Sequence, residues 1–293
     1  MDQLKQADWE ALSRIHDINF EMLTEFDRIC KKHNITYYFW GGALLGTLRH
    51  KDFIPWDNDL DFLMTRAEFD RLLPILREEL DPEIYEIVMP GDYGKNHYFD
   101  MVPRINYKKC EICAFSEDYN AYYKGKTNRI AIDFFFLDRI PETIGGEWTV
   151  TRLKLLYGLL NAYRFSGSLG MPDKKGLIKV AEKVLRVAGK LFSMEKMCKK
   201  VEALARKYEG CTDLPVYRVT NDTMKSFTFH YPVEDFETLV PAVFRGKEFL
   251  IPGGADRIMT IMYGDYMTLP PEEERIPHMY NHLVTADLFK FDE

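Results

Sequence analysis

The sequence lacks most of the features that mark membrane, secreted or fibrous proteins. No apolar run approaches the roughly 20 residues of a membrane span, and there is no internal repeat or low-complexity segment. The five cysteines are an odd, scattered set, which fits a reducing cytosol better than a disulfide framework. Residues 1–8 are polar and acidic, so we predict no secretion signal. These absences predict a globular, cytoplasmic protein.

The chain does have enough apolar material for a large core, with 293 residues of which 46% are hydrophobic and 14% aromatic. We predict a single domain over residues 1–293. The net charge of −7 argues against a dedicated nucleic-acid binder. The charge is uneven, because residues 151–207 hold 14 Lys and Arg against 4 Asp and Glu. We predict a basic helical insertion over 148–207, which is either merely solvated or contacts an anionic membrane.

Hydrophobic periodicity predicts alternating helices and strands along the first half of the chain. The predicted helices cover 2–33, 43–50 and 66–80, and the predicted strands cover 35–40 and 54–64. Residues 84–138 are predicted to be rich in strands, ending in a very apolar strand over 129–138. Residues 214–293 return to mixed structure.

Three carboxylates follow one another at alternate positions, at Asp57, Asp59 and Asp61. On a strand this spacing places all three on one face, where they repel one another. A divalent cation such as Mg²⁺ removes the repulsion, because it binds carboxylate oxygens together with substrate phosphates. The pattern therefore favours a metal-dependent phosphoryl-transfer site, against the alternative of a solvated acidic turn.

Two further features belong with these acids. Gly41 and Gly42 stand between a predicted strand and a predicted helix, where a backbone without side chains can approach a phosphate closely, although most such pairs are simply turns. Asp133 is a single charge on the apolar strand, and a buried carboxylate is costly unless it is paired or binds metal. The alternative for Asp133 is an ion pair with Arg104 or Arg129.

Three blocks of the sequence together resemble the LicD family of phosphocholine transferases. The first block runs from Gly41 to Asp61, the second from Ile132 to Asp138, and the third from Tyr263 to Pro271, followed by Arg275 and His278. The basic segment between the second and third blocks matches no known pattern. The family usually has an acidic residue where this chain has Asn58, and we expect little harm because Asn58 should point away from the metal face.

The resemblance implies an α+β, nucleotidyltransferase-like fold with a central mixed β-sheet flanked by helices. It implies transfer of a phospho-alcohol from a CDP-activated donor, CDP-choline or another CDP-alcohol, to a hydroxyl of a glycan or lipid-linked glycan, with CMP leaving. Mg²⁺, or Mn²⁺ in its place, is the implied cofactor. Teichoic acid or lipopolysaccharide precursors are typical acceptors, and contact of the basic insertion with anionic lipid would place this cytoplasmic protein at the inner face of the plasma membrane.

Residue roles follow from matched positions. Asp59 and Asp61 are expected to ligate the metal, with Asp57 beside them, and Asp133 to be a third ligand or the base that takes the acceptor proton. Gly41 and Gly42 are expected to hold the donor diphosphate. The remaining candidates are Arg49 and Arg104 for phosphate contacts and His278 for donor or acceptor, although Arg49 could equally be a surface residue.

Choline specificity requires an aromatic cage for the quaternary ammonium group. The aromatic residues near the motifs are Tyr37, Tyr38, Trp40, Trp56, Tyr98 and Phe99, although aromatics on strands more often belong to the core. Two other functions stay open at this point: a nucleotidyltransferase that uses an NTP, and a non-catalytic module that binds a glycan or lipid surface. A Cys110–Cys113 zinc site is disfavoured, because the sequence offers no second cysteine pair at suitable spacing.

Overall fold

The computed structural model describes residues 4–93, 97–114, 116–164, 193–279 and 282–292. Within these ranges the α-helices are α1 (Gln6–His33), α2 (Gly41–Arg49), α3 (Arg66–Glu79), α4 (Glu117–Tyr122), α5 (Ile144–Arg164), α6 (Met194–Ala205), α7 (Glu234–Glu237) and α8 (Ala255–Tyr263). The strands are β1 (Tyr38–Phe39), β2 (Leu60–Thr65), β3 (Tyr85–Val88), β4 (Arg104–Tyr107), β5 (Cys110–Ile112), β6 (Ile130–Arg139), β7 (Val216–Val219), β8 (Tyr231–Pro232), β9 (Leu239–Phe244), β10 (Lys247–Pro252), β11 (His278–Met279), β12 (His282–Leu283) and β13 (Phe289–Phe291).

A mixed sheet forms the centre of the molecule. Its strands lie in the order β1-β2-β6-β4-β3, and β7 pairs with β6 and with β8. The β2–β6 pair is parallel, whereas the other pairs of this sheet are antiparallel. Helices α1 and α3 pack on this sheet. The predicted α+β fold, with a central mixed sheet flanked by helices, is confirmed.

The two parallel strands are buried because their side chains are apolar on both faces. Phe62 of β2 and Phe134 of β6 are almost fully buried. Phe26 of α1 stacks on Phe62 with ring centroids 4.8 Å apart, which holds the long helix against the sheet. The most apolar strand of the sequence is thus a central strand of the sheet.

Helix α1 confirms the predicted N-terminal helix, with a start at Gln6. The Lys5 backbone N–H donates to Asp8 Oδ2 at 2.8 Å, which caps the first turn. Asn34 ends the helix in the left-handed conformation, with φ of 52°, a role that Asn fills more readily than most residues. The helix therefore ends where the sequence predicts.

Three predicted boundaries around the acidic block are wrong. The strand predicted over 35–40 is limited to β1, the helix predicted over 43–50 begins already at Gly41, and the strand predicted over 54–64 begins only at Leu60. A turn replaces the first half of that last strand, because the Asp57 N–H donates to the Ile54 carbonyl at 2.9 Å. Pro55 occupies the second turn position, where its fixed φ is favourable.

Part of the predicted basic insertion is helical, as expected. Helices α5 and α6 pack together on a second, smaller core that includes Leu153, Tyr157 and Val201. Residues 165–192 of the insertion lie outside the described residues, and the single-domain prediction stays a prediction. No helix in the described ranges is long and apolar enough to span a bilayer.

Candidate active site

The glycine pair lets two carboxylates approach the start of α2. Gly41 has φ of +50°, which few other residues adopt without strain, and a Cβ on it would lie 3.2 Å from Asp61 Oδ2. A Cβ on Gly42 would lie only 1.9 Å from Asp57 Oδ2. The backbone conformation therefore favours glycine at position 41, and the present position of the Asp57 carboxylate favours it at position 42.

The three acids lie close together, but they do not share one face of a strand as predicted. Only Asp61 lies on β2, whereas Asp57 and Asp59 belong to the segment between the Pro55 turn and the strand. The prediction that one strand presents all three is wrong in its local structure. The three nevertheless line one cavity, together with Gly41 and Gly42.

The acids raise one another's pKa. Burial raises the pKa of Asp57, and the charge of Asp57, followed by burial, raises the pKa of Asp59 well above its ordinary value. Burial and the neighbouring carboxylates raise the pKa of Asp61. A bound cation would favour their ionisation together.

Asp133 lies beside Asp61 because the two are register partners on the parallel strands β2 and β6. Arg104 forms an ion pair with Asp133, with Nε 2.8 Å from Oδ1 and Nη2 3.2 Å from Oδ2. Its Nη2 also lies 2.6 Å from Oδ2 of Asp100. Burial nevertheless outweighs the pull of Arg104 and raises the pKa of Asp133 to about 6. The ion pair with Arg104, one of the two predicted alternatives, is present.

The acids offer carboxylate oxygens, which are the donor type that a hard divalent cation prefers. In the described part of the chain no three His, Cys, Asp or Glu side chains form a ready-made metal cluster. Arg104 already engages both oxygens of Asp133, so a third-ligand role for Asp133 would use oxygens shared with that guanidinium. Asp57, Asp59 and Asp61 supply an oxygen-only donor set of the kind that Mg²⁺ prefers.

The sequence analysis assigned no role to two residues of this site, Asp222 and Tyr263. Asp222 follows strand β7, lines the cavity of the acids and raises the pKa of Asp61. Tyr263 ends α8, and its hydroxyl lies 3.9 Å from the position of a Cβ on Gly41. Burial and the nearby Asp61 raise the pKa of the Tyr263 hydroxyl. Asp222 has no motif around it, whereas Tyr263 opens the third block of the family resemblance.

Two cavities meet at the acids. The larger has a volume of about 570 Å³ and contains Gly41, Gly42 and Asp61 in its wall. The smaller has a volume of about 380 Å³ and contains Arg104 and Asp133. Asp59 lines both, so the carboxylates form the boundary between two separate spaces.

The remaining candidates divide between the two cavities. Arg49 lines the larger one, where its Nη1 donates to the Tyr266 carbonyl at 2.8 Å. His278 lines the smaller one, where its Nδ1 lies 2.9 Å from the Ile276 carbonyl oxygen. The geometry therefore separates His278 from Arg49 and the glycines.

The aromatic residues considered for a choline cage are also dispersed. Trp40 and Trp56 line the larger cavity, and Phe99 lines the smaller one. Tyr37 and Tyr38 are core residues whose hydroxyls donate to Asp27 and to the Phe236 carbonyl, and Tyr98 is buried in the second core. Of these six aromatic residues, only Trp40 and Trp56 line the cavity that contains the glycine pair.

The sequence is similar to one protein-family model and to known bacterial proteins. Residues 34–150 match the family model described as LicD/FKTN/FKRP, nucleotidyltransferase domain. The lipopolysaccharide cholinephosphotransferase LicD of Haemophilus influenzae is 28% identical over 263 residues, which cover 88% of this chain and 91% of that protein. An uncharacterized protein of Rickettsia typhi is 34% identical over 62 residues, 20% of each chain.

Proposed function

We propose that this chain, whose residues 34–150 match the LicD/FKTN/FKRP nucleotidyltransferase-domain model, transfers phosphocholine from CDP-choline to a hydroxyl of a cell-surface glycan. One observation carries the proposal. Asp57, Asp59 and Asp61 line one cavity with the glycine pair, and Asp133 lies beside Asp61 on the neighbouring strand. The relative named as a lipopolysaccharide cholinephosphotransferase, aligned over most of both chains, supports choline as the alcohol and lipopolysaccharide as the acceptor class.

The larger cavity is the proposed donor site. Backbone N–H groups at the start of α2 face a diphosphate there, since glycine leaves them accessible and the helix terminus attracts anions. Arg49, in the same wall, is placed to contact a donor phosphate. Asp59 and Asp61 would hold Mg²⁺, which neutralises charge on the phosphate oxygens when bound.

In the proposed transfer, the choline-bearing phosphorus moves from the bridging oxygen of the donor to the acceptor hydroxyl oxygen. The acceptor hydroxyl oxygen bonds to the phosphorus that carries choline, and its proton passes to a carboxylate oxygen of Asp133. The bond between that phosphorus and the bridging oxygen breaks, and CMP leaves with the bonding electron pair. Asp133 suits the base role because its pKa of about 6 leaves it mostly ionised at neutral pH and able to accept a proton.

The proposed place of action is the cytoplasmic face of the membrane. The cysteines Cys30, Cys110, Cys113, Cys198 and Cys211 are all unpaired, which fits a reducing compartment. The excess of Lys and Arg over 151–207 would contact anionic lipid, near a lipid-linked acceptor.

Incubation with Mg²⁺ and one of CDP-choline, CDP-ribitol, CDP-glycerol or CTP tests the proposal. Slow release of CMP from CDP-choline in the absence of acceptor is the expected result, and Asp61→Asn should abolish it. Asp287→Asn, in the short 3₁₀ helix Ala286–Leu288, is the matched control and should leave the rate unchanged.

Three other results would overturn the assignment. CMP from CDP-ribitol or CDP-glycerol alone would replace choline with a polyol. Pyrophosphate from CTP would indicate nucleotidyl transfer instead. If no compound is cleaved and none raises the Tm in the presence of Mg²⁺, the chain is a non-catalytic binding module.

A further inference from the structure

We propose that the smaller cavity is the acceptor site and that it takes a neutral, hydroxyl-bearing sugar residue. The inference rests on the proposed function, since it assigns the second substrate of the same reaction. Nothing in the sequence motifs separates donor from acceptor. The separation comes from how the sheet divides the space around the acids.

The two cavities have Asp59 as their one shared wall residue among the residues described. Asp61 lines the larger cavity and Asp133 the smaller, yet the two are register partners on adjacent strands, about 4.8 Å apart. A transfer reaction needs two ligands whose reacting atoms meet. This boundary is a place where a molecule in each cavity could bring its reacting atom to the same carboxylates.

The glycine pair assigns the larger cavity to the diphosphate, which leaves the smaller one for the acceptor. The smaller cavity also contains Asp133, the group placed to take the acceptor proton. A hydroxyl bound there would face Asp133 directly. A hydroxyl in the larger cavity would instead compete with the donor for the same walls.

The walls of the smaller cavity suit a sugar. Its lining contains both donors and acceptors, including the guanidinium groups of Arg104 and Arg129, the carboxylate of Asp100 and the amide of Asn58. Such planar polar groups pair with the hydroxyls of a polyol, each of which both donates and accepts. The Phe99 ring adds an apolar surface for the C–H face of a pyranose.

The charge balance favours a neutral ligand over a phosphate at this position. Apart from Asp59, which the proposed function assigns to the metal, two carboxylates, from Asp100 and Asp133, stand against the two guanidinium groups of Arg104 and Arg129. Arg104 is already neutralised by its two ion pairs with Asp100 and Asp133. An anion entering the cavity would therefore meet no net positive charge, and one of the two guanidinium groups is already paired with carboxylates.

Two matched substitutions test whether the donor and the acceptor bind in separate cavities. Ala131→Leu narrows the smaller cavity, and Thr268→Leu narrows the larger one. Donor affinity is measured by titration calorimetry with CDP-choline and Mg²⁺. Sugar binding is measured by saturation-transfer NMR with glucose, galactose, N-acetylglucosamine and N-acetylgalactosamine.

We expect Ala131→Leu to weaken the sugar signal at least tenfold while the Kd for CDP-choline changes less than twofold. Thr268→Leu should raise the Kd for CDP-choline at least tenfold while the sugar signal changes less than twofold. Both variants are first checked by Tm, and if Ala131→Leu does not fold, His278→Ala, at an exposed position of the same cavity, replaces it.

The inference is overturned if no sugar in the panel binds the parent protein, or if sugar binding survives Ala131→Leu. It is also overturned if Thr268→Leu removes sugar binding and leaves donor binding intact. Failure of the proposed function gives a different pattern. In that case CDP-choline does not bind at all, while sugar binding is still lost in Ala131→Leu.

Discussion

Asp57 fills the space that a side chain on Gly42 would need. Its Oδ2 atom lies 1.9 Å from the position of a Cβ on that glycine, far inside any van der Waals contact. The obstacle is the end of a side chain, so the carboxylate could swing aside while the backbone stays in place. A larger residue at position 42 should therefore disturb the site more than the fold.

Gly42→Ala tests this relationship. We expect Mg²⁺-dependent binding of CDP-choline to weaken at least tenfold, because Asp57 is displaced from the other acids, while Tm falls by only a few degrees. Calorimetry and thermal unfolding measure the two effects. Gly91→Ala is the matched control, since a Cβ at Gly91 meets open space. Unchanged donor affinity in Gly42→Ala would contradict the argument.

Arg66 is predicted to be essential for stability. It is buried and donates through Nε and Nη2 to both oxygens of the equally buried Asp138, at 2.7 and 2.9 Å, and through Nη1 to Glu202. Arg66→Met leaves Asp138 buried without its cation, which should cost about 3–5 kcal/mol of unfolding free energy. Urea unfolding measures the loss.

The double variant Arg66→Met/Asp138→Leu is the control for that interpretation. Removing the orphaned carboxylate as well should recover a large part of the loss, because a well-packed apolar pair often replaces a buried ion pair at little cost. A double variant no more stable than Arg66→Met would show that shape, not charge, determines the effect.

Glu79 is predicted to stabilise the protein in a pH-dependent way. It accepts a hydrogen bond from Lys32 at 2.8 Å and another from His33, which lower its pKa to about 2 from an ordinary 4.5. Because the pKa is lowered on folding, the stabilisation is complete above pH 4.5 and is lost as pH falls toward 2.

Glu79→Gln should therefore lower the urea midpoint at neutral pH, and the gap between variant and parent should close across that acidic window. Glu248→Gln, at an exposed position on β10, should show no such gap. A gap that stays constant down to pH 2 would refute the assignment of the effect to this carboxylate.

Asn58 is predicted to resist replacement by the acidic residue typical of the family pattern. Its Nδ2 donates to the His278 carbonyl at 2.8 Å in a buried setting. Asn58→Asp would place a carboxylate against that carbonyl, which should cost about 1–3 kcal/mol. Asn58→Ala should cost less, because it removes the donor without adding charge. Thermal unfolding ranks the two, and an Asp variant as stable as the parent would contradict the prediction.

Much of the architecture could be predicted from the sequence, because it depends on local patterns. The periodicity of α1 and the continuous apolar run of β6 each specify one element with little competition. The glycine pair and the acids were predicted to meet, and they do. The predicted start of β2 was wrong because the apolar residues before Asp57 have the composition of a strand, whereas Pro55 directs the chain into a turn.

The parts that could not be predicted depend on contacts between distant segments. Asp222 reaches the acids from the region after β7, and nothing in its neighbourhood marks it. Arg104 was expected to contact the donor or to pair with Asp133, and its additional link to Asp100 is what fixes it in place. Neither the two cavities nor their common wall can be inferred from spacing along one chain.

The strand register that places Asp61 beside Asp133 also limits which changes in sequence this site can accept. Side chains alternate between the two faces of a sheet, so inserting or deleting one residue within β2 or β6 would turn a carboxylate to the opposite face. These strands can therefore accept substitutions but not changes of length. Variation in length, and with it any change in the ligands that the site accepts, is confined to the connecting segments that close the two cavities.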